Sequence, residues 1–115
     1  MLLMNPVSSP AAPASALSVA LLQFNPVVGD LQGNARAIID AARQAYAEGA
    51  RLVVTPEMAL CGYPPEDLLL RPAFMQACDD TTAHIARSLA DLPDLHLVLG
   101  HPLQALGDDV RTRSW

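Results

Sequence analysis

A chain of 115 residues, 51% of them hydrophobic and 4% aromatic, is long enough to bury one small core and short enough to be a single domain. Its formal net charge is −5, and its seven basic residues are all Arg, scattered along the chain; this excludes the basic stripe of a nucleic-acid binder and disfavours an anionic membrane surface. No apolar run is more than a few residues long, far short of a bilayer span.

Residues 1–16, MLLMNPVSSPAAPASA, have an Ala-rich end but no basic start, and Pro6 and Pro10 break their apolar run. They are read as a flexible Pro/Ala/Ser leader rather than a secretory signal. Leu17–Phe24 is an apolar run closed by Asn25-Pro26 and is predicted to be a parallel strand buried on both faces. Gly29-Asp30 and Gly33 supply turn chemistry, and Asn34 is expected to cap the next helix. From Ala35 to Glu48, Ile38, Ala41, Ala42, Ala45 and Tyr46 recur at helical spacing, with Arg36, Asp40, Arg43 and Gln44 largely on the other face. Gly49 stands where a C-terminal cap belongs.

Leu52-Val53-Val54-Thr55 reads as the second strand, joined to the first by a crossover helix and therefore parallel to it. A second helix is expected to start near Pro72, with Phe74, Cys78, Thr81, Ile85 and Leu89 as its buried stripe and Leu92-Pro93 as its end. Leu95–Gly100 reads as a third parallel strand whose edge is open to pairing, followed by a turn at His101-Pro102. Gln104–Trp115 lacks apolar periodicity and reads as a loop. The predicted fold class is α/β, a β-α-β-α-β unit of parallel strands.

Two cysteines, Cys61 at a loop edge and Cys78 in a helix core, do not make a disulfide framework and are read as reduced thiols. His84, His96 and His101 match no compact zinc spacing with them, so no metal site is expected. No glycine-rich phosphate loop is present, and no cofactor is expected in these residues.

The chemistry concentrates in Leu52–Leu70, LVVTPEMALCGYPPEDLLL, which brings the carboxylate of Glu57 to the end of an apolar strand and into a Gly/Pro-rich loop. The carboxyl ends of strands are where open α/β sheets keep their sites. This stretch resembles the first catalytic motif of the nitrilase (carbon–nitrogen hydrolase) superfamily. The continuation Gly62-Tyr63-Pro64-Pro65-Glu66-Asp67-Leu68-Leu69-Leu70-Arg71-Pro72, together with Gln23-Phe24-Asn25-Pro26-Val27-Val28-Gly29-Asp30 and Gly33-Asn34, is similar to the glutaminase domain of glutamine-dependent NAD synthetases. The likeness runs from about Leu17 to Pro102.

That resemblance implies an incomplete nitrilase-like α-β-β-α sandwich, with residues 17–115 as the amino-terminal portion of the domain. It implies that Glu57 is the proton acceptor of a Glu, Lys and Cys set, taking the thiol proton during thioester formation and returning it to the leaving ammonia. A shuttle works best where an apolar setting raises a carboxylate's proton affinity, and Met58 and Leu60 are the residues expected to supply it. The chain holds no lysine, and the resemblance places the family's Lys and nucleophilic Cys beyond Trp115, so these residues alone are expected to be inactive. Cys61 falls where the motif carries a small residue and is read as loop or core filler. Tyr63 is expected to line the glutamine pocket or to pack at a domain interface, and Glu66 and Asp67 to begin a short helix.

For the complete protein the resemblance implies glutamine as substrate, ammonia delivered to a carboxyl-terminal synthetase domain that uses ATP and Mg, a homo-oligomer, a cytoplasmic location and no nucleic-acid or membrane partner. Two alternatives remain open at this point. One is a stand-alone amidase or carbamoylase of the same superfamily; the other is a truncated, non-catalytic protein that binds a partner through its sheet edge.

Overall fold

The computed structural model describes residues 2–7, 17–104 and 112–114. Three short parallel strands form its centre: β2 (Val19–Phe24), β3 (Leu52–Val54) and β4 (His96–Val98), linked by α1 (Leu31–Ala47) and α2 (Pro72–Ser88). Val19, Leu52 and His96 lie in one register row, and Leu21, Val54 and Val98 in another. The parallel β-α-β-α-β order expected from the hydrophobic pattern is therefore present.

α1 begins four residues earlier than its apolar periodicity suggests, because Asp30 caps it rather than Asn34. The Asp30 carboxylate accepts from Gly33 N at 3.0 Å, satisfying one of the helix's orphan amides. Gly33 leaves room for that carboxylate to fold over the first turn. Ile38, Ala41, Ala42 and Ala45 are buried as predicted, and Gly49, at φ +104, ends the helix in a left-handed conformation that favours glycine. The Ala-rich face lets α1 sit close on the sheet, with Ala20, Leu22 and Val53 in the same core cluster as Cys78 and Ile85 of α2. α2 starts at Pro72 as expected, its buried stripe being Met75, Cys78 and Ile85 with Leu89 just past its end; Phe74 and Thr81 are half-buried.

Since residues of both helices share one cluster with Ala20, Leu22 and Val53, they cover one face of the sheet. β2 is consequently not buried on both faces: Ala20 and Leu22 are buried, whereas Leu21 is 41% exposed and Gln23 is also exposed. Val19, Leu52 and Val54 on the uncovered side are half-buried.

The ends of the chain also differ from expectation. Within the segment read as a flexible leader, β1 (Leu2–Val7) pairs antiparallel with β2 from Leu2 opposite Phe24 to Val7 opposite Val19. The free edge of β2 provides the hydrogen-bonding partners, and an edge strand tolerates the missing N–H of Pro6. The rest of the leader lies outside the described residues. At the other end, β5 (Pro102–Gln104) pairs antiparallel with β6 (Thr112–Ser114), so part of the stretch read as a loop is paired and the turn expected at His101-Pro102 leads directly into a strand. β4 remains at an edge of the four-stranded sheet, as the sequence suggests.

Candidate active site

The carboxyl end of β3, the central one of the three parallel strands, opens into a turn over residues 57–61. Pro56 starts it, Ala59 N donates to Pro56 O at 3.2 Å, and Gly62 N donates to Met58 O at 2.8 Å. Met58 holds φ +56, a left-handed conformation that an ordinary side chain adopts only when its surroundings impose it. Those surroundings are visible on three sides.

From the β4 side, Thr55 N donates to Val98 O at 3.0 Å and Leu60 N donates to Gly100 O at 3.1 Å. From the α1 side, the buried Asn34 side chain donates to Leu60 O and to Val27 O, each at 2.8 Å, and accepts from Val27 N at 2.9 Å. Asn34 is thus a tie between two loops and not a helix cap; its position after a Gly/Asp turn signals polarity at a helix start, but only the fold brings Leu60 to it. From the turn before α1, Gly29 N donates to Cys61 O at 2.8 Å. Gly62 (φ +82) presses on this turn so closely that a Cβ would stand 2.7 Å from Val28 Cα and 2.8 Å from Val28 N. A side chain there would violate both the conformation and the space.

Within this frame Met58, Ala59, Leu60 and Cys61 point into the core, and Glu57 is left exposed. The burial expected beside Met58 and Leu60 is therefore absent: those side chains turn inward while the carboxylate faces out. Among the described residues no hydrogen bond or ion pair engages the Glu57 carboxylate. Tyr63 is 71% exposed, and neighbouring Val27 and Val28 are 61% and 45% exposed, so an apolar rim lies beside the turn. Glu66 and Asp67 open a short 3₁₀ helix, Glu66–Leu70, in the place expected for them.

Cys61 is fully buried rather than at a loop edge, with Sγ 3.5 Å from Met58 Sδ and 3.4 Å from Gly62 O. Burial pushes its thiol up, and burial, with lesser contributions from Cys61 and Asp79, pushes Cys78 up to about 12. Both are held as thiols, the reverse of what a nucleophile needs. His84 and His96 are exposed, and His101 Nδ1 lies 2.9 Å from Pro102 O. A hollow between α1 and α2, lined by Gln32, Arg36, Asp80 and His84 among others, does not include Glu57.

A carboxylate presented at the mouth of the central strand on a turn this constrained is a positioned group. The carbon–nitrogen hydrolase model matches residues 18–110, most of the chain. The chain belongs to the carbon–nitrogen hydrolase family. Among curated relatives, it is 43% identical over 83 residues to the glutamine-dependent NAD(+) synthetase of Synechocystis sp., a match covering 72% of this chain and 14% of that one. Among solved structures, it is similar to glutamine-dependent NAD+ synthetase from Acinetobacter baumannii, solved with ADP, at TM-score 0.67 and 33% identity over 84% of this chain and 17% of that one. It is also similar to an amidase from Nesterenkonia sp. at TM-score 0.71 and 27% identity, over 90% of this chain and 37% of the amidase. This carbon–nitrogen hydrolase chain thus spans about a seventh of the length of its curated relative. No helix among the described residues is long and apolar enough to cross a membrane.

Proposed function

We propose that these residues are the amino-terminal part of the glutaminase domain of a glutamine-dependent NAD synthetase. The observation that carries the reading is the exposed Glu57 carboxylate, unpaired among the described residues, on a turn tied to β4, α1 and the loop before α1. The identity to NAD synthetases supports the synthetase over a stand-alone amidase, as does the Tyr63–Leu70 extension.

In this reading Glu57 accepts the proton of a cysteine thiol as the thiolate attacks the glutamine carboxamide carbon. It then returns that proton to the departing ammonia, leaving a thioester. Water, deprotonated by the same carboxylate, hydrolyses the thioester to glutamate and regenerates the thiol. A lysine stabilises the oxyanion. Neither partner is among these 115 residues, whose cysteines are buried and which contain no lysine. Exposure of Glu57 is compatible with the role, because the thiol and the substrate must reach it. Tyr63 is proposed to line the glutamine pocket.

The complete protein is proposed to be a cytoplasmic homo-oligomer in which a carboxyl-terminal domain, using ATP and Mg, amidates nicotinic acid adenine dinucleotide with the ammonia released. The 115-residue chain alone should release no glutamate from glutamine above a blank.

The test is Glu57→Gln in the full-length protein. Glutamine-driven NAD synthesis should fall by at least roughly 10²–10⁴-fold, the span of general acid–base catalysis, because Glu57 serves both acylation and deacylation. Synthesis from added ammonia should persist. Glutamine-driven turnover near wild type would remove Glu57 from the mechanism, and a joint collapse of both activities would make it a structural residue.

A further inference from the structure

Glu57 is one residue of a turn whose ends are clamped from across the sheet. We propose that Thr55 and Gly100 are positioning residues for Glu57, locking the ends of β3 and β4 together so that the turn between Pro56 and Leu60 can take only one course. The inference rests on the proton-acceptor role proposed for Glu57.

Thr55 is 4% exposed, and its one hydroxyl is used in both directions. It donates to Val98 O at 2.9 Å and accepts from Gly100 N at 2.9 Å. Gly100 O in turn accepts from Leu60 N at 3.1 Å. The two backbone polar groups of Gly100 therefore grip the chain on either side of Glu57, one at Thr55 and one at Leu60. The bond from Gly100 N to the Thr55 hydroxyl is buried and that from the hydroxyl to Val98 O is part-buried, so losing the first leaves a polar group with no water to turn to.

Space makes the second half of the lock. A Cβ on Gly100 would collide with Pro56 O and would stand 2.8 Å from Met58 N and 3.0 Å from Glu57 Cα. All three are backbone atoms, and they bracket Glu57 in sequence; no flexible side-chain end is available to yield. Gly100 is not among the residues with positive φ, so its lack of a side chain answers to space and not to conformation. An alanine there would therefore act by pushing on the backbone that carries the carboxylate. The left-handed Met58 at φ +56 supplies the need for a lock, because a turn containing it relaxes when its external ties are loosened.

A carboxylate shifted by a fraction of an ångström loses its line to the thiol, and misplacement of about 1 Å costs on the order of 10²-fold in rate. The test uses the full-length protein with Gly100→Ala, Thr55→Val, Thr55→Ser and, as reference, Glu57→Gln. Glutamine-driven and ammonia-driven NAD synthesis are measured in each preparation, with kcat and KM for glutamine. Gly100→Ala and Thr55→Val should each lower the glutamine-to-ammonia activity ratio by about 10- to 100-fold, through kcat and with KM for glutamine little moved. Thr55→Ser, which keeps the hydroxyl, should retain most of the ratio.

An unchanged ratio in either Gly100→Ala or Thr55→Val overturns the lock. A parallel fall of both activities in either variant overturns it as well, because the residue would then be supporting the fold and not the aim of Glu57. If Glu57→Gln itself leaves the ratio intact, the functional reading fails first and this inference falls with it.

Discussion

The turn that carries Glu57 and the open face of the sheet are built from the same strands under opposite constraints. In the turn, four of the five residues from Met58 to Gly62 engage in hydrogen bonds with Gly29, Asn34, Gly100 or each other, and all five are buried. On the open face, Val19, Leu21, Leu52, Val54 and Val98 form an apolar ladder in register with only partial cover. The first region is finished by these residues alone; the second has the chemistry of half an interface. A sandwich needs a second layer, so the contrast matches a piece of a larger domain in which the Glu57 turn is fixed by local contacts and the core is not closed.

The sharpest way to break the comparison is Gly62→Ala. It forces a side chain onto φ +82 and into the Val28 backbone, and should cost about 3–4 kcal/mol, read as a lowered urea midpoint of the full-length protein. A loss under 1 kcal/mol would mean that the turn tolerates displacement and is not rigid.

Asn34→Ala comes next. It strips partners from Val27 N, Val27 O and Leu60 O together and should cost about 2–3 kcal/mol in the same measurement. Asn34→Asp should be no rescue, since a carboxylate would face two carbonyl oxygens with no proton to give. If Asp restored stability, the tie between α1 and the Glu57 turn would not be the one described.

The open face is probed by Leu21→Gln, and here the context decides the size of the effect. In the 115-residue chain, where Leu21 is 41% exposed, the change should cost roughly 0.5 kcal/mol or less and should reduce self-association seen by light scattering. In a complete sandwich, with a second sheet over this face, it should cost about 2 kcal/mol. Equal, small effects in both contexts would show that no second layer covers this face.

The smallest effect is expected on the helical surface. Arg43 holds Asp91 through bonds of 2.7 and 3.2 Å and also donates to Ser88 O at 2.6 Å, but the two side chains are 43% and 65% exposed. An exposed pair of this kind contributes little and is screened by salt. The hydrogen bond from Arg43 holds the Asp91 carboxyl below its ordinary 3.8. Since the folded value is the lower one, its contribution is present above pH 3.8 and is lost as pH falls through the lowered value. Asp91→Asn should therefore shift the melting temperature barely, at neutral pH and low salt only, and not at all in acid.

The residues legible in sequence are those whose signal is local. Pro72 started α2 where a proline at a first helical turn belongs, Gly49 closed α1, and the Ile38 to Ala45 stripe became the buried face. Asn34 reads as a cap in sequence because a polar residue follows a Gly-Asp turn, but Asp30, one turn earlier, is the residue that caps α1. The place of Glu57 at the end of a strand is legible in sequence, but its exposure is not, since Met58 and Leu60 turn inward only once the turn takes its left-handed step. Thr55 and Gly100 carry no local signal at all; they lie 45 residues apart and acquire meaning when β3 and β4 become neighbours.

By itself the sequence determined the α/β class, the two helices and the order of the parallel strands. Each follows from periodicity, capping and turn residues acting within about one helical turn or one strand. Tertiary structure decided which face of the sheet is covered, that Leu2–Val7 completes an edge, that Cys61 is sealed in the core, and how the Glu57 turn is clamped. Those outcomes depend on which backbone groups and buried atoms meet across tens of residues, and hydrogen-bond partners and close packing at that separation exist only once the chain has folded.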